Sequence, residues 1–123
     1  MPSRPASQSK GGRPIHLRLV ELDPRWLIKD GRRVGFIFRS PADPKWFQSC
    51  IFERMTFKEQ CALLRELGLT TEEDDWPLNV QTCNPDCAWT PTGDSFDNLS
   101  VTPSIDGSAG GLWHGFVTKG EIV

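Results

Sequence analysis

The sequence predicts an α+β fold that is mostly β, built as a small antiparallel sheet or half-open barrel of hairpins with one covering helix. Three observations support this prediction: apolar and polar residues alternate from Ile15, Asp30-Gly31 separates two apolar runs, and one helical stripe follows Thr56. The chain has 123 residues and a mass of 13.8 kDa, about the length of one domain. We therefore expect a single β-rich domain over residues 14–123.

The first strands follow from alternation and from turn chemistry. Residues 15–19 place their apolar side chains on one face of a predicted strand. An Asp-Gly pair suits a type I′ turn, in which both central residues need a positive φ. Residues 26–29 and 32–39 should therefore pair as a hairpin, with Arg33 and Arg39 on a shared face.

The helix is predicted over residues 56–68. Thr56 and Glu59 have the spacing of a capping box, and Gly68 fits a C-terminal cap. The stripe expected to face the sheet consists of Phe57, Cys61, Leu64 and Leu67. Further short strands are predicted at residues 50–55, 78–82, 99–105 and 112–117. Pro103 has no backbone N–H, so its strand should lie at an edge or carry a bulge.

Charge is unevenly distributed along the chain. Residues 1–39 carry nine basic and three acidic side chains, whereas residues 40–123 carry five and thirteen. Residues 1–13 contain nothing to pack, so we expect a disordered basic tail. The sequence shows no membrane-length apolar run and no secretory leader, and its mean hydropathy is −0.39. These features predict a cytoplasmic protein without membrane association.

The cysteines suggest a metal site. Outside a secretory context, reduced core thiols or metal ligands are better interpretations than structural disulfides. Cys83 and Cys87 flank Asn-Pro-Asp and could turn toward one point. His114 is a candidate third ligand and Cys50 a candidate fourth. Zinc accepts such a set as a structural site, and no other cofactor is expected.

Catalysis, if present, would be organised around His114. In a zinc hydrolase with water as the fourth ligand, His114, Asp94 and Asp106 are the candidate catalytic residues, with a carboxylate as general base. A Ser-His-Asp arrangement can also be drawn with Ser104 or Ser108, although no nucleophile-elbow glycine pattern surrounds either serine. The lack of an evident catalytic pair favours binding over catalysis.

Tryptophan and arginine content indicates a binding surface. The chain has five tryptophans, and Trp and Arg are enriched among interface hot spots. Trp46, Trp113, Arg33 and Arg39 are the candidate contacts for a partner protein. The same residue types could stack nucleobases and touch phosphate, which leaves nucleic-acid binding open. The acidic segment 70–75 favours a solvated loop, with a cation or a basic partner as the other interpretation.

The C-terminal third carries a set of short motifs: Trp89, Gly93-Asp94, the run 99–105 (LSVTPSI), Trp113-His114-Gly115-Phe116, Gly120 and Ile122. This set resembles a family of small phage, prophage and bacterial proteins of unknown function, some labelled ammonia monooxygenase. Family members have a Cys-Pro-x-Cys pair and a Cys-His pair that look like zinc ligands. Only His114 matches cleanly, because Trp113 replaces the cysteine and Ser40-Pro41 lacks both thiols.

The resemblance implies a phage or prophage accessory protein. Some similar proteins lie beside bacterial ubiquitin-like conjugation genes and are suspected peptidases, which implies a zinc-dependent hydrolase as the alternative. We therefore predict first a small interaction or inhibitor module that acts on a host or phage protein in the host cytoplasm. The zinc hydrolase with Cys83, Cys87 and His114 is the second hypothesis, and a nucleic-acid-binding accessory protein is the third.

Overall fold

Two sheets and one α-helix form the fold in the computed structural model, which describes residues 17–123. The strands are β1 (Leu17–Arg18), β2 (Arg25–Lys29), β3 (Arg32–Arg39), β4 (Phe47–Ile51), β5 (Val80–Gln81), β6 (Thr90–Thr92), β7 (Ser100–Asp106), β8 (His114–Thr118) and β9 (Glu121–Ile122), and the helix α1 covers Phe57–Glu66. The predicted mostly β, α+β class is confirmed.

The two sheets differ in their topology. The first sheet has the strand order β2-β3-β4-β5, with antiparallel pairs except for the parallel pair β4-β5. The second sheet has the order β1-β9-β8-β7-β6 and is antiparallel throughout. Over residues 17–123 the strands form no closed barrel.

The predicted Asp-Gly hairpin joins β2 to β3. Asp30 and Gly31 have φ values of +53° and +77°, as a type I′ turn requires. The strand expected at residues 50–55 lies earlier in the chain, because β4 begins at Phe47 and ends at Ile51. This strand pairs with β3 along five residues, so β3 and β4 are the central strands of the first sheet and β2 lies at its edge.

A β-bulge interrupts the pairing of β2 with β3. Leu27 pairs with Gly35 and Ile28 with Arg33, so Val34 is an extra residue on β3. An extra residue reverses the alternation of faces before and after it. The expected shared face of Arg33 and Arg39 is therefore wrong: the two side chains lie on opposite faces of β3.

The helix begins with the predicted capping box. Thr56 Oγ1 accepts a hydrogen bond from the Glu59 N–H, and the Glu59 carboxylate accepts one from the Thr56 N–H. The predicted packing stripe is only partly right, because Phe57 is exposed. The buried helix residues are Gln60, Cys61, Leu63 and Leu64.

The core has two parts, one on each side of the first sheet. The helix covers one face through a cluster that includes Leu27, Ile37, Ile51, Leu63 and Leu64. The second sheet covers the other face, in a cluster where Leu99, Val101 and Val117 pack with Phe36 and Phe38 of β3. Strands β3 and β4 are therefore buried on both faces, which explains the continuous apolar run of β3.

The strands predicted at the beginning of the domain and around Pro103 differ in part from the structure. β1 is only Leu17–Arg18, and a 3-10 turn at Leu19–Leu22 follows it. Residues 15 and 16 and the expected disordered tail 1–13 lie outside the described residues. The irregular register of β7 around Pro103 confirms a bulge there, but β7 is not an edge strand because β6 and β8 flank it.

None of the helices in residues 17–123 is long and apolar enough to cross a membrane.

Candidate functional site

The predicted zinc ligands do not come together as one ligand set in residues 17–123. Cys50 is completely buried in the core between the two sheets, whereas Cys83 packs against the core under the helix. Cys87 and His114 are exposed. Within the part of the chain that the structure describes, no three His, Cys, Asp or Glu side chains are arranged to hold a metal ion.

Burial also opposes ionisation of two of the candidate ligands. It raises the pKa of Cys50 and of Cys83, and because zinc binds thiolates, metal binding at these positions would have to overcome this effect. The Cys83 thiol lies 3.1 Å from the Ser49 carbonyl oxygen and 3.2 Å from Ser49 Oγ. These residues do not fit zinc as arranged, and the zinc-dependent hydrolase stays a prediction.

Cys83 and Cys87 nevertheless share a cavity of ≈ 310 Å³. Trp89 and Asp106 also line this cavity, which opens beside the end of β7. The structure therefore brings together the predicted thiol pair and one of the predicted carboxylates. Cys50 is not among the lining residues.

His114 lies beside one predicted carboxylate and away from the other. Asp106 is its direct partner across β7 and β8, and Ser104 Oγ lies 3.3 Å from His114 Nε2. Asp94 follows β6, near the opposite end of β7, where its backbone carbonyl accepts a hydrogen bond from Arg33. Asp94 therefore does not contribute to a site with His114.

The two predicted interface arginines are engaged within the fold. The Arg33 guanidinium lies 4.1 Å from the centroid of the Trp26 ring, and the Arg39 guanidinium lies 4.4 Å from that of Phe47. Arg39 also forms an ion pair with Asp23. Because they lie at opposite ends and on opposite faces of β3, these arginines do not form one continuous surface.

The two predicted interface tryptophans differ in exposure. Trp113 is partly buried, contacts the edge of Phe38, and exchanges backbone hydrogen bonds with the Gln48 side chain. Trp113 therefore helps to hold the sheets together. Trp46 is 38% exposed at the beginning of β4, so it remains available at the surface.

An aromatic surface that the sequence patterns do not predict lies beside the helix. Trp76 is 59% exposed, and its ring centroid lies 5.3 Å from that of Phe57. We call this region the Trp76 surface and define it as the groove of ≈ 230 Å³ lined by Phe57, Lys58, Cys61, Ala62, Arg65, Asp74, Asp75 and Trp76. Helical spacing places Phe57 in the packed stripe, so the sequence does not indicate that Phe57 is exposed beside Trp76.

Hydrogen bonds fix the loop that carries Trp76. Thr71 N–H donates to the Trp76 carbonyl at 2.8 Å, and Trp76 N–H donates to Thr71 Oγ1 at 3.1 Å. Arg65 ties the loop to the helix through a 2.8 Å contact with the Asp75 carboxylate. At the base of the loop, Leu78 N–H donates to the Leu69 carbonyl. The loop thus holds Trp76 in a defined position at the surface.

No protein-family model, curated protein or solved structure matches this chain.

Proposed function

We propose that this protein is a protein-interaction module whose Trp76 surface binds a partner segment that presents apolar and basic side chains. The observation that carries the proposal is the position of Trp76, a largely exposed tryptophan on a hydrogen-bonded loop. Tryptophan is enriched among the residues that dominate binding energy at protein interfaces. While the ring stays exposed, its large apolar area contributes little to the stability of the fold. A partner that covers the ring removes this area from water, and the burial stabilises the complex.

The rigidity of the loop supports this proposal. A binding surface that is ordered before binding loses less conformational entropy when the partner arrives. The contacts of Thr71 and Asp74 with the Trp76 N–H restrict the backbone, and the Phe57 ring restricts the indole. The fold therefore presents two aromatic rings in one fixed arrangement.

Charge around the groove indicates the chemistry of the partner. The loop carries four carboxylates at Glu72, Glu73, Asp74 and Asp75, whereas Lys58 and Arg65 are the two nearby basic residues of the groove, which leaves a net charge of −2. Arg65 is already paired with Asp75. An aromatic groove with an acidic rim complements a segment in which Lys or Arg flanks an apolar side chain.

The sequence motifs support an origin for the partner and a compartment for the interaction. The resemblance to small phage and prophage proteins supports a partner protein from the phage or its host, met in the host cytoplasm. Arg33 and Arg39, two of the arginines that could contact phosphate, already pair with Trp26, Phe47 and Asp23, which favours a protein partner over nucleic acid at these two positions.

A selection from a displayed library of random peptides tests the proposal. The full chain serves as bait, and the enriched peptides are sequenced and remeasured by fluorescence anisotropy. We expect enriched peptides to combine an aromatic or aliphatic residue with Lys or Arg. Replacing Trp76 by Ala should weaken their binding about tenfold or more, as expected for a central interface tryptophan.

Phe116 provides a matched control, because it is an exposed aromatic residue on β8 that does not line the groove. Phe116→Ala should bind the selected peptides as the unmodified chain does. The proposal is overturned if no peptide is enriched, if acidic peptides are enriched instead, or if Trp76→Ala leaves affinity unchanged. Loss of binding only in a Trp46→Ala, Arg39→Ala double variant would place the interface at the surface predicted from sequence.

A further inference from the structure

A serine, a histidine and an aspartate converge on β7 and β8, and none of them lines the Trp76 surface. Ser104 and Asp106 are two residues apart on β7, so their side chains share a face. His114 is the direct cross-strand partner of Asp106, and directly opposed residues have interacting side chains. The imidazole therefore lies beside a hydroxyl, 3.3 Å from Nε2, and a carboxylate.

The surroundings of Asp106 favour its ionised form. Ser108 donates hydrogen bonds from its hydroxyl and its backbone N–H to the Asp106 carboxylate. These bonds, with a smaller contribution from His114, lower the pKa of Asp106 and keep it ionised. A nearby carboxylate stabilises the imidazolium that forms when Nε2 takes the serine proton.

A cavity borders one member of this group, Asp106, and offers space for the rest of a substrate, although Ser104 and His114 do not line it. Asp106 lines the ≈ 310 Å³ cavity, whose apolar walls include Trp89, Ile105 and Ala109. The Trp89 indole N–H donates to the Ser104 carbonyl at 3.1 Å, which places the cavity wall against the backbone of the serine. The volume accommodates the short acyl group of a small ester, and the remaining lining residues are mostly polar.

We propose that Ser104 is a nucleophile, with His114 as its general base, in a hydrolytic site for small carboxylic esters. Ser104 Oγ bonds to the ester carbonyl carbon while the bond to the leaving alkoxide breaks. The Oγ proton passes to His114 Nε2 and then to the alkoxide. Water next attacks the acyl carbon and gives a proton to Nε2. The bond between the acyl carbon and Ser104 Oγ then breaks, Oγ takes the proton from Nε2, and the carboxylic acid leaves. Asp106 acts through His114 and is a positioning residue.

Covalent labelling with an alkyl fluorophosphonate, a reagent for activated serines, tests the site on the full chain. We expect one adduct, which peptide mass spectrometry maps to Ser104, and hydrolysis of 4-nitrophenyl acetate. His114→Gln should slow both reactions about 100-fold, the scale of general base catalysis. Asp106→Asn should slow labelling, and Asp106→Glu should restore part of the rate, which a merely structural role would not explain.

Ser100→Ala is the matched control, since Ser100 lies on the same strand and its Oγ accepts a hydrogen bond from the Lys119 N–H. This variant should label at the rate of the unmodified chain, and circular dichroism should show that every variant keeps its fold. The proposal fails if no adduct forms, if the adduct maps to another serine, or if His114→Gln labels at an unchanged rate. Ester hydrolysis that persists in Ser104→Ala would also contradict it.

Discussion

Arg33 and Trp26 form a cation–π pair, with the guanidinium carbon 4.1 Å from the centroid of the indole ring. Trp26 stacks in turn on Phe96, at a centroid distance of 4.0 Å, and Arg33 donates a hydrogen bond to the Asp94 carbonyl. Phe96 and Asp94 belong to the connection between β6 and β7. The pair thus links the β2-β3 hairpin of the first sheet to the second sheet.

Removing this link should destabilise the fold. We expect Arg33→Ala to lower the free energy of unfolding by about 1–2 kcal/mol, because both a cation–π contact and a hydrogen bond are lost. Arg33→Lys should recover only part of that loss, since an ammonium lacks the planar guanidinium. Urea unfolding measures both values. Arg54→Ala, at an exposed arginine, is the control, and equal stabilities of Arg33→Ala and Arg54→Ala would contradict the structural role of Arg33.

The buried Gln60 side chain should be as important to the fold as an apolar core residue. Its amide donates to the Cys83 carbonyl at 3.0 Å and accepts from the Cys83 N–H at 2.9 Å, as a paired strand would. Gln60→Leu keeps the volume but leaves both backbone groups of Cys83 without this partner. We expect a loss of about 2–4 kcal/mol in the free energy of unfolding.

Thermal and urea unfolding of Gln60→Leu and Glu66→Leu provide the comparison, because Glu66 is an exposed position of the same helix. Glu66→Leu should change stability by less than about 0.5 kcal/mol, as is usual for surface substitutions. A Gln60→Leu variant as stable as the unmodified chain would show that Cys83 finds other partners.

Local rules predicted much of the fold. The Asp30-Gly31 turn and the Thr56 cap were identifiable because their geometry depends on neighbouring residues alone. The buried glutamines were not identifiable, since an apolar pattern excludes Gln from the core. Gln48 bonds both backbone groups of Trp113, 65 residues away, and no periodicity reveals such a contact.

The candidate sites were predictable only in part. His114 and Asp106 were selected from the sequence and lie together, but the pairing with Ser104 rather than Ser108 depends on the register of β7 against β8. Phe57 was assigned to the core because helical spacing cannot show where the packed face ends. Its contact with Trp76, and hence the Trp76 surface, depends on how the loop after the helix folds back.

The capping box should contribute measurably to stability. Thr56→Ala removes the acceptor of the Glu59 N–H at the beginning of the helix. We expect a loss of about 1 kcal/mol in the free energy of unfolding, the usual effect of an N-cap replacement. Thr56→Ser keeps the hydroxyl and should retain most of the stability. If Thr56→Ala and Thr56→Ser unfold at the same urea concentration, the hydroxyl does not contribute.

Acid should destabilise the protein through carboxylates that are paired in the fold. Hydrogen bonding and charge attraction from Arg25, opposed by desolvation and aided by Arg39, lower the pKa of Asp23. A lowered folded-state pKa contributes stability above the unfolded value of about 4, and this contribution is lost as the pH falls through the folded-state value. We expect Asp23→Asn to show a smaller drop in urea midpoint between about pH 5 and pH 2 than the unmodified chain. An identical pH dependence would mean that the ion pair of Asp23 is fully screened by solvent.

The zinc content of the purified protein tests whether Cys83, Cys87 and His114 form a metal site. Cys50 and Cys83 belong to cores on different sides of the first sheet, and burial raises the pKa of both thiols. We therefore expect protein purified without a metal-affinity tag to contain far less than one zinc ion per chain by elemental mass spectrometry. Cys83→Ser and His114→Ala should contain no less than the unmodified chain. Stoichiometric zinc that is lost in both variants would instead establish the site predicted from sequence, and it would require Cys83, Cys87 and His114 to move together when the metal binds.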